Sequence, residues 1–325
     1  MRYLVTGGAG FLGSHLCEAL VAGGGEVWAL DDLSTGAREN LAPLENEKRF
    51  HFVEGSVLDR AAVADCVGTC DVVLHMAAAV GVKYIVENPF TSIRTNVFGT
   101  EVVLEACARF RKKVLIASTS EVYGKQTTGP VREDVDRVLG ATTTSRWSYA
   151  ATKALDEFLA LAYHRKDGLR MVIARLFNVV GPRQTGRYGM VLPRFAEQAF
   201  KGEAITVYGD GTQTRAFMHA DDCVRALLAL VEAGACECNV YNVGATEEIS
   251  ILDLAERVRA LTGSSSEIVF VPYEEAYESG FEDMPRRAPD VSRLVEAVGF
   301  EPRYDLDATI RSVIEDRRAR TGKGS

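Results

Sequence analysis

Tyr149 and Lys153 stand four residues apart in the segment Trp147-Ser148-Tyr149-Ala150-Ala151-Thr152-Lys153. The continuation through Leu155, Phe158, Leu159 and Tyr163 keeps helical spacing, so the phenol and the ammonium share one helix face, one turn apart. A phenol that ionises near pH 10 is a poor base at neutral pH. A neighbouring ammonium favours the phenolate and brings it towards a useful range for proton transfer. Such a pair also arises by accident on helix surfaces, so its company decides. Upstream, Lys113 to Ser118 (KVLIAS) reads as a buried strand running into Ser118-Thr119-Ser120-Glu121-Val122-Tyr123-Gly124. Hydroxyls and a carboxylate thus gather at a strand's carboxyl end, where α/β sheets hold reacting groups. Glu121 either orients a backbone turn or takes part in the chemistry, and acids in such positions are often functional.

A second constellation opens the chain: MRYLVTGGAGFLGSHLCEALVAGGGEVWALDD. It runs as a short strand (Tyr3 to Val5), a glycine turn, a helix spaced through Phe11, Leu12, His15, Leu16 and Leu20, a second strand (Val27 to Leu30) and the acids Asp31 and Asp32. A dinucleotide site requires that order. Gly7 permits the tight turn, Gly10 lets backbone approach a pyrophosphate, and Gly13 lets the helix pack closely. The helix N-terminus turns free N–H groups and a positive dipole end towards phosphates. Asp31 or Asp32 accepts from adenosine ribose hydroxyls, which selects NAD over NADP.

The elements between these stretches position them. Leu33 to Asn40 is a polar loop over the adenosine side, containing Ser34, Thr35 and Gly36. His51 to Glu54 is a third strand, followed by Gly55, Ser56 and Val57. Asp71 to His75 is another, followed by Met76, Ala77 and Ala78, small enough to let a cofactor lie flat. A helix from about Phe90 to Phe110 carries Asn96 and Gly99, and Met171 to Phe177 is a further strand. Alternating strands and helices predict an α/β fold, a Rossmann-type doubly wound parallel sheet with ligands at the strands' carboxyl ends.

The character changes after Asn178-Val179-Val180-Gly181-Pro182-Arg183. Arg183, Arg187, Arg194 and Arg215 surround YGMVLPRF and AITVYGDGTQTR. One arginine alone is a solvated charge, but a cluster in an acidic chain fits phosphate recognition, with Arg215 against a pyrophosphate and Tyr208 stacked on a base. Val240 to Gly244 and Ile249 to Leu261 add a strand and a helix. The late segment 280–290 holds Arg286 and Arg287 between prolines and suggests an ordered loop reaching the active site. The expected division is a cofactor domain of residues 1–175 and 216–246, and a smaller C-terminal α/β substrate domain of 176–215 and 247–325.

A formal net charge of −8 over 325 residues argues against a nucleic-acid or membrane surface as partner. No apolar run approaches a membrane span, and the first strand begins beside Met1, so a cytoplasmic location without a leader peptide is expected. The seven cysteines are scattered, and Cys236 and Cys238 alternate as in a strand, so no metal site is expected. The histidines have no ligand spacing. Asp221 and Asp222 read as helix caps, and the tail after Asp316 as loose.

TGGAGFLGSH, STSEVYG, YAATK, RLFNVVGPR and ITVYGDGTQTR together resemble the extended short-chain dehydrogenase/reductases that act on nucleotide sugars, from end to end. The resemblance implies retained NAD, a nucleotide-diphosphate sugar oxidised at C4, and a Ser/Thr–Tyr–Lys apparatus. In it Tyr149 takes the hydroxyl proton, Lys153 also binds the nicotinamide ribose, and Thr119 or Ser120 holds the reacting oxygen. The expected cofactor contacts are Gly7, Gly10, Phe11, Leu12, Gly13, Asp31, Asp32, Ser34, Thr35, Gly36, Ser56, Val57, Met76, Ala77, Ala78, Asn96, Ser118, Tyr149, Lys153, Val180 and Arg183. The expected nucleotide-sugar contacts are Asn178, Val191, Arg194, Thr206, Tyr208, Arg215 and Arg287. The family commonly dimerises through the helices carrying Asn96 and Tyr149, so a homodimer is expected.

In the 4,6-dehydratases this strand end resembles Thr-Asp-Glu, and Ser120 stands where their acid does. Thr-Ser-Glu with VYG is instead similar to the UDP-glucuronate decarboxylases, both those making UDP-xylose and those of lipid A modification; the latter also resemble this chain through RWSYAATKALDEFLALAYH and GFEDMPRRAP. Their active-site arginine matches Arg287. The implied reaction is loss of CO₂ from 4-keto UDP-glucuronate, with Glu121 and Arg287 handling the carboxylate and one of them available to deliver a proton to C5. The xylose-forming enzymes usually carry a different YxxxK neighbourhood, so UDP-xylose and UDP-4-keto-xylose both stand as products. The nearest alternative is a UDP-glucose or UDP-glucuronate 4-epimerase; further off are a dTDP-glucose 4,6-dehydratase and a non-catalytic NAD-binding protein.

Overall fold

The expected buried runs become strands β1 (Arg2–Thr6), β2 (Glu26–Asp31), β3 (Phe50–Glu54), β4 (Val72–His75), β5 (Lys113–Thr119) and β6 (Met171–Leu176), joined by Asn239–Val243. In the computed structural model, which describes residues 1–126, 129–186, 190–276 and 284–321, they form one seven-stranded parallel sheet. From one edge the order is Asn239–Val243, β6, β5, β4, β1, β2, β3. The strands are apolar without alternation because helices cover both faces. One face packs Leu16, Leu20, Leu227 and Leu230, the other Val63, Val67, Val103, Leu104 and Ala160. The chain winds outward from β1 to β3, then crosses back to place β4 on the other side of β1. The crevice at the carboxyl ends of β1 and β4 is therefore the topological switch point, where ligands bind in such sheets.

A smaller α/β layer lies beyond β6. Ile205–Tyr208 pairs in parallel with Ile268–Val271, and Thr214–Ala216 lies between Glu248–Ser250 and Arg286–Arg287. Its core holds Leu192, Phe195, Ile205, Val207, Leu254, Val258 and Ile310.

Four local expectations change. The helix expected from Phe90 to Phe110 is continuous but widens into a π turn at Arg94–Phe98, between Pro89–Ile93 and Gly99–Arg109. Asn96 lies in that turn, as π-bulges often lie at functional sites. Cys236 and Cys238 do not lie in a strand: Cys236 ends a 3₁₀ turn and Cys238 takes a left-handed φ of 62°, its N–H donating to Met171 O. The helix Ala220–Glu232 is capped by His219, whose ring accepts from Asp221 N, while buried Asp222 accepts from the backbone N–H groups of Arg303 and Tyr304. The tail is not loose at Asp316, since Leu306–Thr321 is one helix, anchored where Arg317 bonds the Gln184 carbonyl.

Burial lowers the pKa of His75, on β4, from 6.5 to about 3. The unfolded chain binds this proton below pH 6.5 and the folded chain does not, so stability falls as pH drops from about 6.5 to about 3. Thermal melts across that range should show a smaller acid loss for His75→Gln than for the wild type; parallel curves would contradict the assignment.

Candidate active site

The glycine turn is built for close approach. Gly7 takes φ +68°, and a Cβ there would lie 2.8 Å from Ala77 N. A Cβ on Gly13 would lie 1.9 Å from the Gly7 carbonyl oxygen, so the start of the helix Phe11–Ala22 rests on the turn itself. Gly10 offers no side-chain cap to that helix, which leaves first-turn N–H groups, including those of Phe11 and Leu12, for an anionic ligand. Asp31 is the acid that closes the turn, accepting from Ala9 N at 2.9 Å and Leu33 N at 2.8 Å. Asp32 is exposed and accepts from Ser34 N. The Ser34-Thr35-Gly36 loop folds back so that Gly36 lies against Ala9 and Asp31. Ser56 and Val57 follow β3, Met76, Ala77 and Ala78 follow β4, and Val180 lies beyond β6. A Cβ-free cradle, an uncapped helix N-terminus and a strand-end carboxylate at the switch point fit NAD.

Three expected cofactor contacts turn their side chains to protein partners. Asn96 clamps the chain after β4, accepting from Ala79 N at 2.7 Å. Ser118 donates to Glu157 at 2.5 Å, and Glu157 holds Arg175. Arg183 reaches the first helix, bonding Ser14 and Glu18. These residues shape the crevice.

At the end of β5, Thr119 Oγ1 accepts from Glu121 N, and its hydroxyl faces the Tyr149 phenol and favours its ionised form. Ser120 is buried at the head of a 3₁₀ turn, Ser120–Tyr123. Tyr149 and Lys153 lie on the helix Ser148–Asp167, as expected. Lys153 is 1% exposed and donates to Asp156 Oδ2 at 2.8 Å. Burial first, then the charges of Glu121 and Asp156, push the Tyr149 phenol well above its ordinary range, while Thr119 and Arg287 pull it back. Burial and the nearby carboxylates thus raise the phenol's proton affinity, while the Lys153 ammonium is held by Asp156.

Glu121 is the centre of a cluster that no single stretch of sequence contains. Arg146 bonds its Oε2, and Arg287 Nη1 lies 3.3 Å from its Oε1. Arg287 also bonds Asn178 Oδ1, while Asn178, at φ +33°, donates to the Ala216 carbonyl. Burial pushes the Glu121 carboxyl up, yet the two guanidiniums more than offset it and hold it below the usual carboxylate range. Residues 119–121, 146, 149, 178 and 287 thereby meet at one place. Arg146 is the residue the sequence reading missed. Its signal is local, since it stands three residues before Tyr149 and so lies one turn back along the same segment.

The nucleotide-side residues also converge. The Arg194 guanidinium sits 4.0 Å from the centre of the Tyr208 ring and bonds the Thr206 hydroxyl. Val191 opens the helix carrying Arg194. Arg215, buried, donates to the Thr214 carbonyl and stands in register with Arg287 across the Thr214–Ala216 and Arg286–Arg287 ladder. Arg187 and residues 280–283 of the expected late loop lie outside the described residues.

The family model described as the NAD dependent epimerase/dehydratase family matches residues 3–244. The chain belongs to that family. The expected use of NAD and the expected standing as an enzyme both hold. A UDP-N-acetyl-alpha-D-glucosaminuronate decarboxylase of Bacillus cytotoxicus is 42% identical over 315 residues, covering 97% of each chain. UDP-glucuronic acid decarboxylase 1 of Arabidopsis thaliana is 35% identical over 98% of this chain and 70% of its own length. Among solved structures, the UDP-glucuronic acid 4-epimerase of Bacillus cereus in complex with UDP-glucuronic acid and NAD is 31% identical, with a TM-score of 0.89 over 98% of this chain and 99% of that one.

Proposed function

We propose that this family member is a UDP-uronic acid decarboxylase that converts UDP-glucuronate to UDP-xylose, or to UDP-4-keto-xylose when product leaves before reduction. One observation carries the reading: Glu121 held between Arg146 and Arg287, beside the Tyr149 phenol. The two guanidiniums beside the phenol are bidentate donors of the kind that recognises a carboxylate, as a uronate carries. Bound NAD supplies the hydride acceptor at C4. Tyr149 takes the C4 hydroxyl proton, with the Thr119 hydroxyl facing its oxygen. A C4 ketone places the carboxylate β to a carbonyl, so the C–C bond electrons pass to the C4 oxygen as CO₂ leaves. Thr119, Ser120 and Tyr149 hold that developing oxyanion. Glu121, kept ionised, orients the arginines, and water delivers the proton that takes the place of CO₂ at C5.

Residues 1–175 and 216–246 are the cofactor half in this reading, and 176–215 with 247–325 the nucleotide-sugar half. Arg194, Thr206, Tyr208 and Arg215 take the UDP moiety. A second reading of the sugar rests on the 42% identity to an enzyme named for an N-acetylated uronic acid, and it places an acetamido group at C2. Supplying both UDP-sugars separately and comparing kcat/KM for CO₂ release decides between them. A ratio of ten or more favouring UDP-glucuronate supports the first reading, and the inverse ratio the second.

A homodimer and a cytoplasmic location belong to the same proposal. Among the described residues no helix is long and apolar enough to cross a membrane. Phe90, Ile93 and Phe98 lie exposed on the Asn96 helix, and Leu155 and Phe158 on the Tyr149 helix. Phe158, 58% exposed, is the test: Phe158→Lys should convert a dimer to monomer in sedimentation, and an unchanged mass would contradict this face as the interface.

A further inference from the structure

The active-site arginine comes from a strand of two residues, Arg286–Arg287, that carries the same side chain twice. Successive side chains of a strand point to opposite faces. Arg287, level with Arg215, turns inward to Glu121 and Asn178. Arg286, level with Thr214, turns outward and meets Glu248. Its Nε donates to Glu248 Oε2 at 2.9 Å and its Nη2 to Oε1, a bidentate pair. Glu248 Oε2 also accepts from the Thr214 hydroxyl at 2.9 Å. Glu248 belongs to the strand Glu248–Ser250 on the far side of Thr214–Ala216, so its side chain spans the central strand to reach Arg286. One carboxylate thus ties all three strands together on the face away from the site.

Register is what such a clamp can control. Shifting a strand by one residue moves each side chain to the other face. A slip that carried Arg286 into the place of Arg287 would set Pro285 opposite Thr214 and strip Glu248 of its guanidinium. The reverse slip would set Ala288 opposite Arg215 and leave no arginine facing Glu121. A strand this short has few ladder bonds to oppose either. Thr214 N donates to Pro285 O at 2.9 Å; beyond the strand, Val131 N donates to Ala288 O at 3.0 Å and Asp290 N to Val131 O at 2.9 Å. Those bonds hold the chain on either side of the arginines, and the charge-assisted clamp holds Arg286 itself.

We propose that Glu248 is a positioning residue for Arg287: by clamping Arg286 on the outer face it fixes the register in which Arg287 faces Glu121, and so sets how tightly the site holds a carboxylated sugar. The effect on binding and turnover rests on reading Arg287 as the arginine that meets the uronate carboxylate; the effect on register does not.

The Glu248 side chain is 24% exposed and that of Arg286 36%, so substitutions there leave the core intact. In the NAD-loaded protein, Glu248→Ala should weaken UDP-glucuronate binding by about tenfold and slow CO₂ release at least as much. In an Arg287→Ala background the same substitution should change the affinity by less than about twofold, because the residue it acts through is gone. The exchanged pair, Glu248→Arg with Arg286→Glu, should return the affinity to within about threefold of wild type. Without any sugar ligand, the Thr214 N–H should exchange with solvent at least about tenfold faster in Glu248→Ala. Equal losses with and without Arg287, an unchanged affinity, or an unchanged Thr214 exchange rate would each overturn the proposal. Absence of CO₂ release from any UDP-uronic acid in the wild type would instead refute the functional reading, and the ligand-free exchange rate would still decide the register.

Discussion

Tyr149→Phe should lower kcat by about 10²–10⁴-fold, the range for removing a positioned general base, while NAD still binds. The phenol faces Thr119 at the strand end, beside the Glu121–Arg287 pair. The loss should fall on the oxidation itself: single turnover with UDP-glucuronate should give no early absorbance of reduced nicotinamide. Activity within tenfold of wild type would exclude Tyr149 as the base.

Glu121→Gln and Arg287→Ala should separate oxidation from loss of CO₂. Removing one preorganised group that stabilises developing charge costs about 10²–10³-fold in rate. Release of CO₂ should therefore fall by at least about 10²-fold in either variant, while reduced nicotinamide still forms because Tyr149 and Lys153 remain. Since Arg146 and Arg287 hold the Glu121 carboxyl below its ordinary range, its charge persists at neutral pH and is lost only as pH falls through that lowered value. Glu121 thus adds no acid limb between about pH 5 and 8, and Glu121→Gln should leave the shape of the profile there unchanged. Near-normal CO₂ release in both variants would remove the carboxylate-handling role from this cluster.

Much of this site was legible in the sequence because its signals are local. The strand–glycine turn–helix–strand–acid order occupies 32 consecutive residues, and each part has one physical reason to be there. Tyr149 and Lys153 needed only helical spacing. The Arg146–Glu121–Arg287 cluster joins three segments distant in sequence, and only pairing of Arg286–Arg287 with Thr214–Ala216 brings the last of them in. Periodicity does not report such a pairing for a two-residue strand. The π turn at Asn96 was equally hidden, since one inserted residue leaves the apolar pattern nearly unchanged. Lys153 was found, but its partner was not: a carboxylate three residues on reads as a surface pair until burial shows otherwise.

The most direct test is a proton NMR time course of the purified protein with UDP-glucuronate. The account predicts loss of the C5 carboxylate, with pentose signals of UDP-xylose or those of UDP-4-keto-xylose growing in step with CO₂. Appearance of UDP-galacturonate with the carboxylate retained would contradict it, make the enzyme a 4-epimerase, and leave Glu121 and Arg287 as substrate-holding residues.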